Sequence, residues 1–185
     1  KIIAVDMLQE FLDQLQEKID KNNLNHRVSA KQMLMDQLDF EENSFDVIWS
    51  EGAIYNIGFE KGLTEGRKYL KTGGYIAVSE VSWLTDSRPK EIEEYWTNAY
   101  SEIDTIDAKL SVIKNCGYEL IGHFVLPEDC WMDNYYLPIR SRSQAFLEKY
   151  NYREEVKEFI QMGLEEASMY EKYKQYYSYV FYIAK

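Results

Sequence analysis

LKTGGYIAVSE, from Leu70 to Glu80, is the stretch on which the fold turns. Phe59, Leu63, Tyr69 and Leu70 fall at helical spacing, and Gly73-Gly74 stops that helix because glycine accepts the left-handed conformation that ends one. Tyr75-Ile76-Ala77-Val78-Ser79-Glu80 then runs apolar into an acid. A short apolar run without alternation is a strand buried on both faces, as in a parallel sheet.

Working outward, the same alternation of strand and helix recurs. Upstream, Phe45 to Ser50 is a strong strand followed by Glu51-Gly52-Ala53. Val28 to Met33 is a weaker strand, polar enough for a sheet edge. Ile2 to Val5 is an apolar strand ended by Asp6, and Leu8, Phe11, Leu12, Leu15 and Ile19 make the stripe of the helix after it. Downstream, Pro89 opens a helix through Glu91, Tyr95 and Trp96, and another carries Ile106, Leu110 and Ile113 with Gly117 beyond its end. Tyr118 to Val125 is a strand that Pro127 terminates, Val156 to Tyr170 is a helix, and Tyr177 to Ala184 is an interior strand. The expectation is an α/β fold of six strands in a single domain over 1–185, with a helical insertion around 139–175.

Apolar residues make up 45% and charged residues 29%, a globular balance. The formal charge of −11 argues against nucleic acid and against anionic membranes, both of which need a cationic surface. No apolar run approaches the roughly 20 residues of a membrane span, and no secretory leader is visible. Cys116 and Cys130 lack metal or redox spacing and read as buried reduced thiols of a cytoplasmic protein. His26 and His123 stand apart, which excludes a metal site built on them, and His123 reads as a core histidine. The chain opens on Lys1 and runs at once into a strand, so it reads as part of a longer protein.

In open α/β sheets ligands sit beyond the carboxyl ends of the strands. Those ends carry Asp6-Met7, Leu34-Met35-Asp36, Ser50-Glu51 and Glu80. A carboxylate there can accept both hydroxyls of a ribose, but read alone Asp6 suits an ordinary helix cap.

LKTGGYIAVSE resembles the "LKPGG, strand, acid" segment of class I S-adenosylmethionine-dependent methyltransferases. SFDVIWSEGAIYNIGF (Ser44 to Phe59) resembles their fourth strand and its turn, LMDQLDF (Leu34 to Phe40) the segment after the third, and Cys116-Gly117-Tyr118 the entry to the sixth. The closest flavour is the small-molecule branch related to ubiquinone/menaquinone-biosynthesis methyltransferases.

The resemblance implies a Rossmann-like sandwich, mostly parallel with a late antiparallel strand, that uses S-adenosylmethionine on a small molecule. It makes Asp6 the ribose ligand, puts Met7 on the adenine and sets Ser50 and Glu51 near the methionine end. Leu34 stands where the family carries its adenine-binding acid, so Met35 or Asp36 takes that part. Glu51 or Tyr55 is a candidate base, although Glu51 also fits a plain helix-start acid. Glu80 is a substrate-side acid or a solvated turn residue.

Trp83, Trp131, Tyr135 and Tyr136 are expected to roof an acceptor pocket, the last three in an aromatic connection between Pro127 and Pro138. The family's first strand and glycine-rich loop have no counterpart here. Strands Ile2–Asp6 and Val47–Ser50 should therefore lie roughly 9–10 Å apart without pairing, and the cofactor site should be incomplete. The alternatives are a nicotinamide-dependent oxidoreductase and a non-catalytic binding protein on the same fold. Oligomeric state is not read from the sequence.

Overall fold

Residues 1–185 of the computed structural model hold seven strands and seven α-helices. β1 (Ile2–Asp6) pairs in parallel with β2 (Val28–Gln32), from Ile2 opposite Val28 to Asp6 opposite Gln32. α1 (Gln9–Lys21) connects them and buries Leu12 and Ile19. β2 is the edge that its polar sequence suggests, with no further partner.

The second sheet runs β3-β4-β7-β6, where β3 is Phe45–Ser50, β4 is Leu70–Trp83, β6 is Leu120–Val125 and β7 is Tyr177–Ala184. β3 and β4 are parallel, while β7 lies antiparallel between β4 and β6. This is the late antiparallel interior strand expected from its two apolar faces. A two-residue β5 (Asp104–Thr105), too short to leave a periodic signal, pairs with the end of β4. β1 and β3 do not pair, as expected of two strands that the family's first strand would separate.

β4 is longer than its apolar run at both ends. Phe45 faces Leu70 but Val47 faces Tyr75, so β4 bulges at Gly73, where φ is +79°. α2 (Phe59–Tyr69) has already ended there, and the glycine serves the bulge rather than a helix stop. At the other end β4 continues past Glu80 to Trp83, because β7 supplies partners as far as Tyr177. Glu80 is therefore a fully buried strand residue opposite Val180, which corrects the solvated-turn reading.

One core cluster lies under α2 and α4 (Ile106–Asn115) and includes Phe59, Leu63, Ile76, Val78, Ile113 and Tyr182. A second gathers at the carboxyl end of β4, with Val81, Trp83, Ile92, Trp131, Tyr136, Tyr170 and Tyr177. Ile92 comes from α3 (Lys90–Ala99), which starts after Pro89 as its sequence suggests.

The connection expected between Pro127 and Pro138 is helical. It comprises α5 (Glu128–Trp131), one π turn at Met132–Tyr136, and the start of α6 (Leu137–Lys149). Both prolines sit at helix starts, where a missing N–H costs nothing. α6 and α7 (Glu154–Tyr173) make up the helical insertion.

β3 is covered on one face only, since Val47 and Trp49 are more than half exposed. Two burial expectations are overturned. His123 is exposed on the edge strand β6, where its ring stacks on Tyr182. Cys116 and Cys130 are free but only half-buried.

Candidate active site

Asp6 closes β1, half-buried, and its Oδ1 accepts the Leu8 N–H at 2.8 Å. No α1 N–H uses it: Leu8 is the N-cap and receives no side-chain cap bond. Oδ2 makes no hydrogen bond within the protein. Asp6 is thus a turn acceptor with one oxygen to spare, not the helix cap. Met7 beside it is exposed, and Gln32 Nε2 donates to the Met7 carbonyl at 3.0 Å, tying the ends of β1 and β2 together. Past β2, Leu34 to Gln37 form a turn closed by Gln37 N–H to Leu34 O, which leaves Met35 half-buried and Asp36 exposed.

At the end of β3, Ser50 Oγ is buried without a partner. A buried hydroxyl left unmatched costs about 1–3 kcal/mol, so this atom is suited to a donor or acceptor from a ligand. Gly52 N–H donates to Ser79 Oγ at 2.8 Å and pins the turn to β4. Glu51 is exposed, and its Oε2 accepts Trp49 Nε1 at 3.3 Å. Tyr55 follows in a 3-10 turn, 40% exposed, with its ring 6.0 Å from that of Tyr100.

Tyr100 leads into a buried network absent from the sequence expectations. Its hydroxyl donates to Glu80 Oε1, and Lys109 Nζ reaches the same oxygen at 3.1 Å. Lys109 also donates to the Glu102 carbonyl at 2.7 Å, and both members of the ion pair are shielded from solvent. Burial pushes the Glu80 carboxyl above its usual range, against the opposing pull of Lys109 and Tyr100. Its Oε2 has no partner. Glu102 in turn accepts the Phe59 N–H at 2.9 Å and so holds the first turn of α2, where a carboxylate also suits the helix dipole. Gly58 is required there: its φ is +91°, and an added Cβ would come within 2.8 Å of Glu102 Oε1. One sequence signal pointed to this network, an acid within the apolar run YIAVSEVSW. A second was Lys109 on the apolar stripe of Ile106, Leu110 and Ile113.

The aromatic residues lie at the same end of the sheet. Trp131 stacks on Tyr170 at 4.7 Å and on Tyr179 at 5.1 Å, and its Nε1 donates to Ser178 Oγ at 3.0 Å. Burial, together with the charges of Asp129 and Glu51, pushes the Cys130 thiol up. Trp131, Tyr136 and Trp83 are nevertheless buried core residues, the last under the Arg88 guanidinium at 4.3 Å. They are not the exposed roof that was expected. Tyr135 alone of the four keeps an open face, 48% exposed.

Residues 1–78 match a protein family described as "Methyltransferase domain". Demethylmenaquinone methyltransferase of Bacteroides fragilis is 30% identical over 83 residues, which cover 44% of this chain and 34% of that protein. The chain thus spans about a third of the length of that curated relative. Among solved structures, an S-adenosylmethionine-dependent methyltransferase from Geobacter sulfurreducens, in complex with S-adenosylhomocysteine, superposes with a TM-score of 0.78 at 18% identity. That match covers 99% of this chain and 74% of the other. The cyclase SpnF gives 0.78 at 17% identity, over 100% and 65% of the two chains. Every element from β1 to β7 thus has its place in one known architecture, and the chain has the Rossmann-like fold of the class I S-adenosylmethionine-dependent methyltransferases.

Proposed function

We propose that the protein transfers a methyl group from S-adenosylmethionine to a small-molecule acceptor. The observation that carries this is a coincidence of position. The span that matches the methyltransferase domain, 1–78, contains Asp6 with a free Oδ2 and Ser50 with an unpartnered buried Oγ, both at carboxyl ends of strands in the class I fold. These atoms fit the cofactor's polar groups. Asp6 would hold the ribose hydroxyls, Met7 and Met35 would flank the adenine, Asp36 would accept its amino group, and Ser50 and Glu51 would face the methionine end.

The cofactor, when bound, supplies a methyl group already activated on a sulfonium. The protein's part is therefore alignment and proton handling. Holding two reactants in line contributes roughly 7–11 kcal/mol to such reactions. Glu51 or Tyr55, both exposed, takes a proton from a hydroxyl or amine acceptor. The Glu80–Lys109–Tyr100 network fixes the Tyr100 ring against which Tyr55 rests. A cytoplasmic setting belongs to the same reading and is supported by the two free cysteines; no helix is long and apolar enough to cross a membrane.

Because the fold also matches a cyclase, the reaction must be established by the site and not by the fold. The complete protein is therefore tested for binding of S-adenosylmethionine, S-adenosylhomocysteine and nicotinamide dinucleotides, and for transfer of a labelled methyl group to a metabolite extract. Binding of the first two with labelled product is expected. Preference for a nicotinamide dinucleotide, or cofactor binding without any labelled product, would refute the proposal.

A further inference from the structure

The loop between β3 and α2, residues 51–58, carries both candidate bases, Glu51 and Tyr55, and is held from distant parts of the chain at its two ends. At its start Gly52 N–H donates to Ser79 Oγ. At its end Phe59 N–H donates to Glu102 Oε2, 43 positions further on. Between these points the 3-10 turn is closed by local bonds, Asn56 N–H to Ala53 O and Gly58 N–H to Tyr55 O, and Ile54 alone is buried. The turn therefore leans on its two tethers to stay in place.

Glu102 is the tether nearer to Tyr55. α2 needs an acceptor from outside because its N-cap, Gly58, has no side chain to take a first-turn N–H. Glu102 supplies it across space. The Tyr100 hydroxyl approaches the same oxygen, Oε2, at 3.4 Å, and the Tyr100 ring is the one on which Tyr55 rests. One carboxylate oxygen thus meets both supports of Tyr55: the backbone turn that ends at Gly58, and the ring of Tyr100. The segment bearing Glu102 is itself anchored, since Lys109 Nζ donates to the Glu102 carbonyl and to Glu80 Oε1 on β4. The Glu102 side chain lies at the surface, so changing it removes nothing from either core cluster.

We propose that Glu102 is a positioning residue, which holds Tyr55 in the place from which it serves the acceptor. The functional half rests on the methyl-transfer reading, while the placement of Tyr55 is tested separately.

Meta-fluorotyrosine is placed at position 55 of the complete protein and its fluorine signal is recorded by NMR. On unlabelled protein, the rate of labelled methyl transfer from S-adenosylmethionine to a metabolite extract is measured. Glu102→Ala is expected to move the fluorine signal. It should lower the rate at saturating S-adenosylmethionine by at least about tenfold, because a displacement near 1 Å can cost roughly 100-fold. The KM for S-adenosylmethionine should stay within about twofold, since the lost alignment is not part of cofactor binding. Glu102→Gln, whose amide oxygen still accepts the Phe59 N–H, should restore both signal and rate. Glu102→Asp keeps the charge but falls one methylene short. It should act like the Ala variant, and it decides if that variant fails to fold. Once Tyr55→Ala is present, Glu102→Ala should slow the reaction no further. An unmoved signal, an unchanged rate, a Gln variant no better than Ala, or two substitutions whose losses multiply overturns the proposal. If the unmutated protein yields no labelled product, the methyl-transfer reading falls, and the fluorine signal alone decides whether Glu102 places Tyr55.

Discussion

The two ends of the chain are built differently. Residues 1–44 bury only Leu12 and Ile19, and their strand ends present Asp6, Met7 and Asp36 with little beneath them. Beyond β3, Trp131, Tyr136, Tyr170 and Tyr177 interlock over β7, and even Glu80 and Lys109 are buried. The family match, 1–78, takes in all of the thin part and reaches into the first core cluster, while the second, aromatic cluster lies wholly beyond it. The lesson is that recognisable residues and stabilising residues need not coincide. Polar side chains at strand ends can be recognised one by one, whereas a core is written in packing.

Substitutions on the two halves should therefore differ in kind. The largest effect is expected from Trp131→Ala, which empties the centre of the tyrosine stack and leaves Ser178 Oγ without its donor. A loss of about 3–5 kcal/mol in denaturant unfolding is expected. A value near zero would make the aromatic cluster ornamental and break the contrast. Lys109→Met should cost a similar amount, about 3–5 kcal/mol, because it strands a buried carboxylate. Adding Glu80→Gln to it should recover most of that loss, and failure to do so would mean that the cost came from packing alone.

Asp6→Ala sharpens the other side. We expect cofactor affinity to fall by about 1.5–3 kcal/mol, one to two decades, with stability little changed. Unchanged affinity would leave Asp6 as a turn acceptor for Leu8.

The smallest effect is a pH dependence. Burial raises the Glu166 carboxyl above its ordinary 4.5, with Tyr136 opposing. A carboxyl whose pKa is higher in the folded than in the unfolded protein favours folding while protonated. That contribution is lost as pH rises from the unfolded value through the folded one. Measured against Glu166→Gln, the stability of the unmutated protein should therefore decline with rising pH across that window. A difference that grows instead would mean that Glu166 is held by a cation.

The apolar runs Ile2–Val5, Phe45–Ser50, Tyr75–Glu80 and Tyr177–Ala184, with helical stripes between them, determined by themselves that this is an α/β chain with a late interior strand. Backbone hydrogen bonding and burial leave such runs few alternatives. The acids that end β1 and follow β3 were legible for the same reason, since an acid interrupting an apolar run stands out in one dimension. Tertiary structure decided what each acid does. Glu80 looked like a strand-end residue until β7 extended β4 beyond it, and only the fold of α4 brings Lys109 to it across 29 positions. The aromatic segment after Pro127 looked like a loop because a four-residue helix and a π turn leave no periodicity to read. Trp131 and Tyr136 became core, and Tyr135 stayed at the surface, through contacts with α7 and β7, which lie some 30 to 50 residues further along the chain. Packing at such separation is a property of the assembled layers, and no local pattern encodes it.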